Sequence, residues 1–94
     1  GQVSANSFNA TSTRKAKKDI RPTTVNAVEI LRRVGVVDFI FKKDRKKTPH
    51  IGFIAEDTDS LLSTPRHDSM DIGNCIGLLI KAIQQLSDEL GRRP

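Results

Sequence analysis

A serine hydroxyl attacks a carbonyl only when a neighbouring group takes its proton, and a lysine can be that group only when neutral. Burial or nearby positive charge must first depress its pKa. Ser12 stands at the edge of such a basic stretch, with Arg14, Lys15, Lys17 and Lys18 just after it. On residue types alone, a serine beside lysines is a solvated loop. The other chemically able residues have plainer readings. Glu56, Asp57 and Asp59 resemble paired carboxylates, but the first turn of a helix, where the dipole favours acids, explains them more simply. His50 and His67 are isolated, and no Cys/His cluster has metal-ligand spacing. Gly52, Gly73 and Gly77 form no phosphate-binding loop. No metal or cofactor is expected.

Ninety-four residues make one small domain, which buries a limited share of its surface. Four Phe and no Trp or Tyr leave few large side chains for a core, and oligomer formation is one remedy. The net charge of +5 is uneven: residues 1–54 carry twelve Lys/Arg against four Asp/Glu, and residues 55–94 carry four against seven. A basic half beside an acidic half can bind nucleic acid, or can pair with itself or a neighbouring subunit. The basic turn Lys42 to Lys47 has no interleaved aromatic for base stacking and is interrupted by Asp44, so a solvated hairpin tip is preferred to a nucleic-acid site. Cys75, the single cysteine, sits in an apolar run and reads as a small core residue. The longest apolar stretch, Ile76 to Ile80, is far short of a membrane span; no membrane partner is expected.

The elements that must position these residues follow from periodicity. Val3, Ala5, Ser7 and Asn9 alternate weakly with polar neighbours, allowing an extended segment in 1–12 that reads as the end of a preceding domain. Ala27, Val28, Leu31 and Val34 predict a helix over 25–34. Thr24 or Asn26 is its candidate cap, Glu29 completes a capping box, and Gly35 is a left-handed stop. Val37, Phe39 and Phe41 share one face of a strand over 36–42; a second strand over 50–55 puts Ile51 and Phe53 on one face. Together they predict a β-hairpin. A short helix over 56–62, a loop over 63–69, and a long final helix capped by Asp71 complete the chain. Along that helix Ile76, Leu79, Ile83, Leu86 and Leu90 alternate spacings of three and four, the pattern of a short coiled coil or of a buried helix face. The fold class is α+β: a hairpin, two or three helices and a long C-terminal helix.

Three blocks carry a family resemblance. Ser12-Thr13-Arg14-Lys15-Ala16-Lys17-Lys18-Asp19-Ile20 resembles the opening signature of the S74-type intramolecular chaperone and self-cleavage domain of phage tail spikes, tail fibres and neck appendages. Ile51 to Asp57 is similar to its middle segment, and Met70-Asp71-Ile72 with the helix 76–90 to its ending. Thr13 stands where the family usually has Asp, and Ala16 where it usually has Leu.

The resemblance implies a homotrimer that aligns three chains of an upstream β-structured fibre or spike domain and then releases itself. Ser12 would be the nucleophile and Lys17 the base of a Ser–Lys dyad, with the cut at Ser12, at the Ser12–Thr13 bond. Residues 1–12 would then end the stalk and 13–94 form the chaperone domain. The setting would be the host cytoplasm during phage assembly, with the parent protein in the virion tail. The alternatives are a trimerisation module that has lost cleavage, consistent with Thr13 and Ala16, and, less favoured, a small basic nucleic-acid-binding domain. A trimerisation role has a physical logic, because long-range β-assembly of three chains carries a large ordering entropy before its contacts offset it.

Overall fold

In a computed structural model that describes residues 11–92, the chain folds as helix α1 (Ala27–Arg32), a hairpin of β1 (Val37–Phe39) and β2 (His50–Gly52), two single turns at Ala55–Asp57 and Ser60–Leu62, and helix α2 (Ile72–Gly91). This is the expected α+β arrangement. The extended segment expected at Val3 to Asn9 lies outside the described residues.

Helix α1 begins where Asn26 accepts a hydrogen bond from the Glu29 N–H at 3.2 Å, which selects Asn26 over Thr24 as cap. The Glu29 carboxylate pairs with Arg32 at 2.8 Å and Arg33 at 3.6 Å. The expected capping box therefore has only its forward half. The helix closes when the Arg33 N–H is shared between the Ile30 and Leu31 carbonyls, a tight ending typical of helix termini. No described glycine has positive φ, so Gly35 is not the left-handed stop that was expected; the chain leaves α1 directly into β1.

The hairpin is shorter than the apolar runs suggest. Its register pairs Val37 with Gly52, Asp38 with Ile51 and Phe39 with His50. Residues opposite one another share a face, so Ile51 lies with Asp38 on the outer side and is 73% exposed. Phe53, expected to share its face, is half-buried against the core. Strand β1 ends early because Asp44 organises the tip. Its carboxylate accepts the Lys46 and Thr48 N–H groups, each at 2.9 Å, while its own N–H donates to the Phe41 carbonyl at 3.0 Å.

The short helix expected over 56–62 is two turns. Thr58 interrupts it by donating its hydroxyl back to the Ile54 carbonyl at 2.8 Å, a local bond that competes with helix continuation. Asp59 then caps the second turn through the Leu61 N–H at 2.9 Å. Asp71 caps α2, as expected, by accepting from the Asn74 N–H at 2.9 Å.

The core is small. Ala27, Leu62, Leu78 and Ala82 are buried, ringed by residues that include Val28, Leu31, Val34, Phe53 and Cys75. Helix α2 meets α1 and the second turn with the face carrying Cys75, Leu78, Ala82 and Gln85. Gln85 locks this contact: its amide nitrogen donates to the Val25 carbonyl at 3.0 Å, and its oxygen accepts the Val28 N–H at 3.2 Å.

Candidate functional site

Ser12 and Lys17 lie on an arm, residues 11–24, that is exposed throughout. Five fully extended residues would span about 17 Å, too far for a lysine side chain to return. The arm instead folds into a single turn, Arg14–Ala16, closed by Ala16 N–H to the Thr13 carbonyl and Lys17 N–H to the Arg14 carbonyl, both at 3.1 Å. The Thr13 hydroxyl accepts the Lys15 N–H at 3.4 Å. Beyond Lys17 the chain turns again at Asp19, whose φ of 54° is a left-handed conformation that aspartate tolerates better than most residues.

This local fold brings Lys17 Nζ to 3.0 Å from Ser12 Oγ. The distance lies within the reach required of a nucleophile and its base. As an ammonium, Lys17 donates to the hydroxyl; as a base, the neutral amine would accept the serine proton. Both side chains face solvent, and desolvation of the pair requires a covering surface from elsewhere.

The rest of the polar inventory is structural. His67, at φ 61°, joins two loops. Its Nε2 donates to the Glu56 carbonyl at 3.2 Å, which leaves Nδ1 to accept from the buried Ser63 hydroxyl at 2.6 Å. Only the fold reveals this bridge, because no sequence motif joins 56, 63 and 67. His50 stacks on Phe39 with ring centres 5.4 Å apart and meets Phe41 edge-on at 5.0 Å. Cys75 is half-buried with Sγ 3.6 Å from the Leu62 carbonyl. Burial, then the nearby Asp71 charge, pushes its thiol up, which disfavours the reactive thiolate. Glu56 and Asp57 occupy the first turn after Ile54 and Asp59 is a cap, so the acids do not converge on a common point. Among the described residues no group of His, Cys, Asp and Glu is placed to hold a metal ion, and no helix is long and apolar enough to cross a membrane.

The second candidate surface is α2. Ile76, Leu79, Ile83, Leu86 and Leu90 are each between 51% and 65% exposed, and Ile72 and Ile80 extend the row. The row is not the buried face of the helix: α2 meets the core with Leu78 and Ala82 instead. The apolar row stands open along the full length of α2.

Comparison with known proteins places this geometry in context. The family model of Peptidase S74, chaperone of endosialidase, matches residues 12–64. The match begins at the Ser12 signature, covers the Ile51–Asp57 block, and stops before α2. Searches of curated proteins and of solved structures each found no match. With more than half of its length matched from Ser12 onward, the chain belongs to the Peptidase S74 family, the chaperones of endosialidase.

Proposed function

We propose that the chain is an intramolecular chaperone that trimerises through the open row of α2, aids folding of an upstream β-structured fibre or spike, and releases itself by autoproteolysis at Ser12. The observation that carries the cleavage half is the 3.0 Å approach of Lys17 Nζ to Ser12 Oγ. Support for assembly comes from the unpartnered α2 row and from the family; a phage tail protein maturing in the host cytoplasm is the setting this reading implies.

The chemistry balances without a cofactor. Neutral Lys17 takes the Ser12 proton as Oγ attacks a backbone carbonyl. The amide C–N bond then breaks, its nitrogen receives that proton, and water hydrolyses the resulting ester. The bond that opens beside Ser12 bears on which chain attacks. Within one chain, Oγ reaches the Thr11 carbonyl through a five-membered ring and cuts Thr11–Ser12. Reaching its own carbonyl would close a strained four-membered ring, so a cut at Ser12–Thr13 calls for the Ser12 of a neighbouring copy.

Intact mass spectrometry of the chain joined to its native upstream segment tests the proposal. A fragment beginning at Ser12 or Thr13, absent in Ser12→Ala, supports release and identifies the bond. An uncut chain in both would leave the second reading, a trimerisation module without cleavage. That reading is favoured by the exposure of both Ser12 and Lys17 and by Ala16 in place of the family's Leu.

A further inference from the structure

We infer that Thr13 is the positioning residue of the Ser12–Lys17 pair: its hydroxyl caps the turn that carries Lys17 back onto Ser12. The inference rests on the dyad reading above and adds a residue to it.

Thr13 is the extended residue before the turn, with φ −72° and ψ 145°, the conformation of a helix N-cap. Both of its acceptors point into the turn: the carbonyl takes the Ala16 N–H at 3.1 Å and the hydroxyl takes the Lys15 N–H at 3.4 Å. A single turn has little cooperativity to hold it, and this one buries no residue. Beside its two backbone bonds, the Thr13 hydroxyl is the side chain that caps it. When the turn opens, the extended arm carries Lys17 out of range of Ser12. Asp, Asn, Ser and Thr all serve as caps by accepting the same N–H. Threonine at this position thus caps the turn with an acceptor that aspartate could also supply, and the departure at 13 does not by itself disable the pair.

Four variants of the chain with its upstream segment test this, read by the rate of fragment release. Thr13→Val preserves shape and β-branching but loses the hydroxyl; it should slow release by roughly twofold to thirtyfold, the range that loss of a hydroxyl cap covers. Thr13→Ser should restore the wild-type rate and Thr13→Asp should match or exceed it. A role through packing alone would reverse the first two, because valine fills the space and serine does not. Ser12→Ala is the control. If Thr13→Val releases at the wild-type rate while Ser12→Ala is uncut, the dyad stands and the inference about Thr13 is overturned. If the wild type is itself uncut, the dyad reading fails, and amide hydrogen exchange at Ala16 and Lys17 decides the cap: faster exchange in Thr13→Val but not in Thr13→Ser supports it, and equal exchange in all three overturns it.

Discussion

Lys17 reaches Ser12 with a side chain that can donate a hydrogen bond in one protonation state and accept a proton in the other, and only the second would serve the proposed cleavage. Arginine can do the first but not the second, since its guanidinium does not deprotonate in proteins. Lys17→Arg should therefore keep the charge of the arm and the oligomeric state of the wild type while abolishing release, as intact mass would report; a fragment at the wild-type rate would remove Lys17 from the role of base. Gln85 makes a different residue-scale case. Its amide serves Val25 and Val28 together, and Val28 N–H is among the donors that the start of any helix leaves without an internal partner. Gln85→Ala strands both groups in a half-buried site and should cost about 1–3 kcal/mol, measured as a lower denaturant midpoint. The contact of Lys17 with Ser12 was to be expected only through the family signature, since neither spacing nor composition alone separates the two from a solvated loop. Gln85 was not legible, because its partners lie 57 and 60 positions away and nothing local marks a glutamine as an interhelical clamp.

At the scale of elements, local chemistry set the boundaries and periodicity set the types. Asn26 and Asp71 were readable as caps because their acceptors act within three residues. The helix over 56–62 failed because Thr58 and Asp59 satisfy backbone groups themselves and split the segment. Ile51 and Phe53 do not share the expected face, because β2 stops at Gly52: Ile51 stays outside while Phe53 leaves the strand and packs on the core, and both strands are short around the turn that joins them. That turn depends on Asp44, which looked like an interruption of a basic run. The Thr48 N–H first, then the Thr48 hydroxyl and the Lys46 N–H, hold its carboxyl below the usual carboxylate value. A carboxyl whose folded pKa lies below its unfolded one contributes order that is fully present above the unfolded value, about 3.9, and that is lost as pH falls through the folded one. The Lys46 and Thr48 amide shifts should accordingly move toward unstructured values as pH drops below about 4, while α1 and α2 amides stay in place. Asp44→Ala should produce the same tip spectrum at neutral pH. Unchanged tip shifts in that variant would mean the strands alone fix the hairpin.

At the scale of the whole molecule, the exposed apolar side chains of the described residues gather on the outer face of the hairpin, at Val36, Ile40 and Ile51, and along the α2 row. Four small or medium side chains form the buried core, so association is the natural source of further apolar burial. The sequence pattern picked out this row of α2 but could not separate a seam from a buried face, because α2 is apolar on both sides: Leu78 and Ala82 are buried within the chain while Leu79 and Ile83 are exposed. That separation permits a clean test. Leu78→Ala should cost about 2–5 kcal/mol of the chain's own fold. Ile83 is 65% exposed and outside the core cluster, so Ile83→Asp should leave the hairpin and the α1–α2 contact intact and act on assembly, where an unpaired charge in an apolar seam is costly. For the wild type, sedimentation should give a trimer whose melting temperature rises with protein concentration. Ile at the first seam position with Leu at the second is the pairing that favours two parallel strands, so a dimer would trace assembly to helix packing alone and overturn the number three that the family resemblance supplied. Ile83→Asp should sediment as a monomer with a concentration-independent melt, and a variant that still assembles as the wild type does would move the interface off α2 and onto the outer face of the hairpin.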